Sequence, residues 1–308
     1  MKPMSIALIG VGKIARDQHV PALAAHAAFR LIATASPNHR LEGVQNYPSV
    51  EALLDALPNV EAVSICTPPQ MRFAIARYAL ERGRHVMLEK PPATTLSEVA
   101  ALTDLAQSKG ATLFATWHSR EAAAVEPARA WLANRTLRSA RVTWKEDVRV
   151  WHPGQRWIWQ AGGLGVFDPG INALSILTRI IPGALVLNDA ELSYPSNCAT
   201  PIAARLQLAD AHGAVIHAEF DFRQTGPQSW DIDIETTNGR LLLSKGGSVM
   251  RANDGASVEG PDREYANLYA HFETLARQGR SDVDVAPLRL VADAFLCGRR
   301  LEVEPFIE

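Results

Sequence analysis

Short apolar runs, each halted by glycine or proline, alternate with segments of helical spacing through the first third of the chain. Ser5–Ile9 stops at Gly10, Ala62–Cys66 meets Pro68-Pro69, and His85–Leu88 leads to Pro91-Pro92; Leu31–Ala35 and Thr112–Thr116 complete the set. Runs without polar alternation are what strands buried on both faces of a parallel sheet show. Between them lie helical patterns at Ile14–Ala25, Ser49–Leu57 and Phe73–Arg82, and one opened by Ser97, with Glu98 behind it, that ends near Gly110. Ser49 suits an N-cap, and Pro21 must kink or divide the first helix. Strands alternating with helices at these lengths predict a doubly wound parallel sheet, a Rossmann-type α/β domain over residues 1–118.

The period changes after Trp117. Val125–Asn134 reads as one helix, and Arg138–Val150 alternates in twos, as a strand with one buried face does. Similar alternation recurs at Ala203–Leu208, Val215–Phe222, Trp230–Glu235 and Leu241–Ser244, with Asn238-Gly239 as a turn signal. Helices return at Tyr265–Arg277, closed by Gly279, and at Ala286–Arg299. Residues 119–308 are therefore expected to form an α+β domain with an open, mostly antiparallel sheet.

Composition narrows the partners. At 308 residues two domains are expected, and 47% hydrophobic with 21% charged residues is ordinary for a globular protein. A formal net charge of −2 gives no basic field for nucleic acid or an anionic membrane, which leaves small molecules and copies of the chain. Cys66, Cys198 and Cys297 lie far apart, with no metal-ligand spacing, so neither a disulfide framework nor a metal site is expected. The apolar run after Lys2 is cut short by Lys13, Arg16 and Asp17, unlike a signal peptide, and no stretch suits a membrane span. The cytoplasm is the expected compartment.

Gly10-Val11-Gly12-Lys13-Ile14-Ala15 follows the first strand and opens a helix, the dinucleotide fingerprint in its form ending in Ala. Gly10 permits the tight turn, Gly12 lets backbone approach a diphosphate, and Ala15 lets the helix pack closely. After the second strand, where NAD enzymes place an acid for the ribose 2′-hydroxyl, stand Ser36-Pro37-Asn38-His39-Arg40, with no acid until Glu42. Without that carboxylate nothing repels a 2′-phosphate, so NADP is expected to bind at least as well as NAD. Gly10, Gly12, Lys13, Ile14, Ser36, Thr67, Pro68 and Glu89 are the expected cofactor contacts.

Two further segments carry chemistry. Glu89-Lys90-Pro91 ends the fourth strand, at the edge where open α/β sheets bind ligands, so Lys90 reads either as a proton shuttle or as half of a structural ion pair. In Gly162–Asn172, a helix beginning near Pro169 would put Asp168 at its N-cap and Asn172 one turn on, facing the same side. A simple cap would explain Asp168 but not the polar Asn172 on an otherwise apolar face.

GVGKIA, EKPP at 89–92 and GGLGVFDPGIN at 162–172 together resemble the glucose–fructose oxidoreductase/inositol dehydrogenase/MocA family across essentially the whole chain. The resemblance implies a Rossmann domain followed by an α/β domain whose open sheet often forms a homodimer face. It also implies that Lys90 is catalytic or positions substrate and that Asp168 binds a sugar hydroxyl. The family's usual acid/base histidine is replaced here by Asn172, whose amide cannot exchange a proton at neutral pH, so proton transfer falls to Lys90 or Asp168. That departure, with ATWHSR at 115–120, WKEDVR at 144–149 and RVWHPGQRWIW at 149–159, resembles the branch that oxidises aldoses such as L-arabinose and D-galactose at C1.

A pyranose offers an apolar C–H face that suits an indole and hydroxyls that need polar partners. Trp151, Trp230, Glu146 and His118 are the expected sugar contacts, with Trp131 and Trp144 expected in the core or an interface and His19 and His271 in structural roles. Lys90, Asp168 and Asn172 are the expected catalytic set, converging beside a nicotinamide. An inositol, an aminosugar or a dihydrodiol is the competing substrate, and a non-catalytic NAD(P) sensor the competing class.

Overall fold

The computed structural model describes residues 2–308. The chain divides into two compact units, one running through His118 and including Glu264–Val285, the other Ser119–Arg263 with Ala286–Glu308. The second domain expected over 119–308 is interrupted, with Glu264–Val285 in the first unit.

Six strands build the first unit: β1 (Met4–Ile9), β2 (Phe29–Ala35), β3 (Gln45–Tyr47), β4 (Ala62–Ile65), β5 (His85–Leu88) and β6 (Leu113–Ala115). All pair in parallel, in the order β3-β2-β1-β4-β5-β6, as in a doubly wound Rossmann sheet. The direction of winding reverses between β1 and β4, so their carboxyl ends part to leave a crevice. The polar β3 escapes apolar-run reading; it forms because Ala33–Ala35 offer it a partner edge.

Helices α1 (Val20–Ala25), α2 (Val50–Ala56), α3 (Pro69–Glu81) and α4 (Leu96–Ser108) complete the crossovers. Pro21 does divide the first helical segment: Ala15–His19 form a π-helical turn, closed by the Val20 amide on the Ala15 carbonyl, before α1 begins. Ser49 caps α2, accepting the Ala52 amide hydrogen at 3.3 Å. The cap of α4 is Thr95, not Ser97; Thr95 and Glu98 form a reciprocal capping box.

The second unit holds α5 (Val125–Leu132), β7 (Leu137–Lys145), α6 (Val148–Trp151) and α7 (Phe167–Ile180). Strands β8 (Val186–Pro195), β9 (Ala203–Ala209), β10 (Val215–Asp221), β11 (Ser229–Thr236), β12 (Gly239–Ser244), β13 (Val249–Ala252) and β14 (Ser257–Glu259) follow. After α8 (Glu264–Gln278) come α9 (Ala286–Cys297) and β15 (Arg299–Val303). The nine strands form one sheet, β14-β13-β12-β11-β7-β10-β9-β8-β15, antiparallel except at β7/β10 and β8/β15. Alternation places Ala140, Val142 and Trp144 of β7 and Ile216, Ala218 and Phe220 of β10 on its buried face. Burying each of the larger ones contributes about 1.5–3 kcal/mol.

The expected strand Arg138–Val150 stops at Lys145, because Asp147 caps α6 through the Arg149 amide. The last helix ends at Cys297, and Arg299–Val303 then pair with β8. Helix α8 belongs to the first unit because Tyr265, Leu268, Tyr269, Phe272 and Leu275 join Ile6, Leu8, Met87 and Phe114 in one apolar cluster. Periodicity reveals an apolar stripe but not the sheet that it covers.

Candidate functional site

At the carboxyl end of β1, Gly10 adopts φ +89° and donates its amide hydrogen to the Ala35 carbonyl at 2.8 Å. A Cβ there would stand 2.9 Å from Thr67 Cγ2 and 3.0 Å from the Thr67 nitrogen, so only glycine lets the two loops meet. A Cβ at Gly12 would meet nothing within 4 Å, leaving open space before the helical turn. Against Gly10, the Thr67 hydroxyl is buried without a hydrogen-bond partner among the described residues. An unsatisfied hydroxyl and open space at the start of a helical turn fit a dinucleotide diphosphate.

The other expected cofactor contacts are unequal. Ile14 and Pro68 are half-buried. Lys13 is exposed and paired with Asp17. Ser36 is buried, with its amide on the Tyr47 carbonyl and its carbonyl on the Asn46 side chain, while Arg40 is exposed.

Glu89 closes the strand end in a bonded cluster. It is buried and bonded to the protein itself: Oε1 accepts from Tyr265 Oη at 2.7 Å and His19 Nε2 at 3.0 Å, and Oε2 accepts the Lys90 amide hydrogen at 2.9 Å. The buried Arg72 guanidinium donates to the Glu89 carbonyl at 2.6 Å, to the Thr67 carbonyl at 2.8 Å and to the Pro91 carbonyl. Lys90 sits half-buried just beyond.

Burial alone would raise the Glu89 carboxyl, but the hydrogen bond and charge of His19, with His118 and Arg72, hold it far below the usual carboxylate range. His118 Nδ1 pairs with Glu264 at 2.5 Å. Its burial would lower the imidazole; Glu264 and then Glu89 outweigh that and raise it, against the opposing charge of Lys90.

In the second unit three chemical side chains gather. Glu146, at the end of β7, is buried; Oε2 accepts from Trp230 Nε1 at 2.9 Å and Oε1 faces His152 Nε2 at 3.1 Å. The other ring nitrogen, His152 Nδ1, lies 3.7 Å from Asp168 Oδ2. Asp168 is not the cap of α7. The N-cap is Val166, which puts Asp168 in the first turn, where the helix dipole favours a carboxylate. Gly165 (φ +53°) makes this start possible, because a Cβ there would lie 2.2 Å from the Pro201 carbonyl oxygen. Asn172 follows one turn later, half-buried, its side chain making no hydrogen bond among the described residues.

Trp151 is 38% exposed and tilts against Trp230 at 4.8 Å, and Trp230 stacks in turn on the buried Trp144 at 6.0 Å. The loop bearing Trp151 and His152 is braced by the chain's last residues. Phe306 packs on Trp159 at 4.8 Å and under the Arg149 guanidinium at 5.2 Å, and Arg149 donates to the Ile307 carbonyl at 3.2 Å.

Sequence reasoning thus named Glu146, Trp230 and Asp168, which the fold brings together, but missed His152 between them. Its signal was the adjacency His152-Pro153-Gly154 after Trp151, a loop already assigned to the sugar. His19, expected to be structural, is wholly buried on Glu89, and nothing local marks it. His271 pairs with Asp282 at 2.9 Å, and Trp131 and Trp144 are buried. Among the described residues no group of three His, Cys, Asp or Glu could hold a metal ion, all three cysteines are free, and no helix is long and apolar enough to cross a membrane.

A Rossmann sheet with a phosphate turn at its switch point, and a strand-end lysine beside it, defines a dinucleotide-dependent oxidoreductase. Residues 4–116 match the model of the oxidoreductase family with an NAD-binding Rossmann fold. The chain belongs to that family, the glucose–fructose oxidoreductase/inositol dehydrogenase/MocA group. It is 46% identical to galactose 1-dehydrogenase of Pseudomonas fluorescens over 308 residues, covering 100% of both chains. The crystal structure of a D-galactose-1-dehydrogenase protein from Rhizobium etli superposes with a TM-score of 0.95 at 56% identity, covering 100% of this chain and 99% of that one. A 3-ketoreductase from Actinomadura kijaniata, solved with TDP-benzene and NADP, shares the fold (TM-score 0.87, 19% identity, 98% of this chain and 100% of that one).

Proposed function

We propose that this chain is an aldose 1-dehydrogenase that oxidises the C1 hemiacetal of D-galactose and L-arabinose to the lactone. The observation that carries the reading is the Glu146–His152–Asp168 cluster beside Trp151 and Trp230, in a chain similar along its full length to galactose 1-dehydrogenase. Two carboxylates and an imidazole offer acceptors and donors for vicinal hydroxyls, and the half-exposed indole of Trp151 offers an apolar plate for a pyranose face. The two sugars share ring stereochemistry and differ by one hydroxymethyl group, so a single pocket serves both.

When bound, the dinucleotide supplies a nicotinamide that accepts hydride from C1. Gly10, Gly12 and Thr67 would hold its diphosphate. Lys90 takes the proton of the C1 hydroxyl, while Asp168, Asn172, Glu146 and His118 orient the ring hydroxyls. His152 fixes the Glu146 and Asp168 carboxylates relative to each other, which shortens the search for a reactive pose.

The stretch Ser36–Arg40 lacks an acid, and Arg40 is exposed, so NADP is expected to serve at least as well as NAD. Initial rates on D-galactose, L-arabinose and an inositol with each cofactor test the reading. Turnover of the inositol without either aldose rejects it, and a strong preference for NAD rejects the cofactor assignment. We place the reaction in the cytoplasm, which suits three free thiols. A homodimer through the open face of the nine-stranded sheet accompanies the reading; light scattering from the purified chain tests it, and a monomer removes it.

A further inference from the structure

The buried group behind Lys90 includes a histidine that touches no solvent. His19 Nε2 faces Glu89 Oε1 at 3.0 Å, and Nδ1 faces Tyr269 Oη at 2.8 Å and Ser64 Oγ at 3.3 Å. We propose that His19 is a positioning residue for Lys90: it fixes the Glu89 carboxylate, whose second oxygen holds the Lys90 amide and so sets the lysine at the end of β5.

Three observations support this. Buried ion pairs are poor sources of stability compared with packed apolar side chains, so a wholly buried His–Glu pair needs another reason to be there. The partners are arranged in a chain that ends on Lys90, with Tyr265 donating to the same Glu89 oxygen and Arg72 holding the Glu89 carbonyl. His19 is also the last residue of the π-helical turn that starts three residues after Gly12, and such turns gather at functional sites. One imidazole therefore ties the helix of the phosphate turn to the strand end that carries the lysine. Burial opposes a charge on His19, but Cys66, Tyr269 and Glu89 outweigh it and hold the imidazole well above its ordinary value, which strengthens the bond to Glu89.

The inference rests on the reading of Lys90 as the group that acts on substrate. The test compares His19→Ala, His19→Gln and His19→Asn for kcat and KM on D-galactose, for NADP affinity by fluorescence titration and for melting temperature. Glutamine can reproduce the Nε2 donor toward Glu89, whereas asparagine reaches only as far as Nδ1. The expected result is a kcat lower by about 10–100-fold in the alanine and asparagine variants, as displacement of a reacting group by about 1 Å produces. Sugar KM and NADP affinity should stay within about two-fold, and glutamine should recover most of the rate. Equal kcat in all variants overturns the inference, as does a loss of rate, affinity and stability together that glutamine does not relieve. If the alanine variant fails to fold, Tyr265→Phe removes the other donor to Glu89 Oε1 and decides by the same readouts. A wild-type chain that oxidises no aldose overturns the functional reading and this inference with it; active wild type with undiminished His19→Ala overturns the inference alone.

Discussion

The surroundings of Lys90 and those of His152 are built by opposite means. Behind Lys90, buried charges hold one another: Glu89 accepts from His19 and Tyr265, and Arg72 ties three carbonyls. Around His152 the carboxylates are also buried, but the imidazole rides on a short surface helix and loop braced by aromatic contacts and by the chain's last residues. On the proposed function, the rigid, charged mount would serve the step common to every turnover, and the loop on aromatic supports the fit to a particular sugar, because a loop can change without disturbing a sheet.

The largest expected effect breaks the rigid side. Lys90→Ala should lower kcat by about 10²–10⁴-fold, the usual loss when acid–base help is removed, while NADP titration changes little. Near-normal turnover would take Lys90 out of the chemistry. On the other side, His152→Ala leaves the Glu146 and Asp168 carboxylates without their shared partner. A hydrogen bond to a charged group contributes about 1.5–3 kcal/mol, so kcat/KM for D-galactose should fall by roughly 10–150-fold, with NADP binding unchanged. Equal losses of sugar and cofactor affinity would show that the loop is not specific to the sugar.

A smaller change tests the brace. Phe306→Ala removes aromatic contacts worth about 0.5–1.5 kcal/mol, so the KM for the sugar should rise a few-fold while kcat holds. A fall in kcat alone would contradict that assignment.

The smallest effect is on stability against pH, and it should come from the charged side. Glu89 is lowered in the folded chain, so its contribution is present above roughly pH 4.3, the value of an unperturbed glutamate, and is lost as pH falls toward the folded value. His19 and His118 are raised, so their contribution is full below about pH 6.5 and is lost as pH rises through their folded values. Melting temperature should peak between these limits, and His19→Gln should flatten the alkaline arm. An unchanged alkaline arm in that variant would mean that His19 is not charged in the fold.

Much of this molecule is written locally. The five apolar runs, the Gly10–Ala15 turn, the capped α2 and the alternating strands of the second unit all follow from neighbours a few residues apart, and they stand in the structure. The errors are local too, in the sense that local signals were incomplete. Ser97 has a cap's chemistry but lies inside α4, whose true cap is Thr95 two residues earlier, and Asp168 has it but follows a helix start that the preceding glycines disguise. The polar β3 and the brief β14 have no period long enough to read.

By itself, then, the sequence determined the parallel sheet, the phosphate turn and the residue types available for chemistry, since strand burial, backbone freedom and capping depend on short stretches. Only the tertiary structure decided that Tyr265 returns across 176 positions to bond Glu89, that α8 joins the first sheet, and that His152 stands between Glu146 and Asp168. Those contacts are set by where the chain closes on itself, and closure is governed by the packing of whole elements, which no single segment encodes.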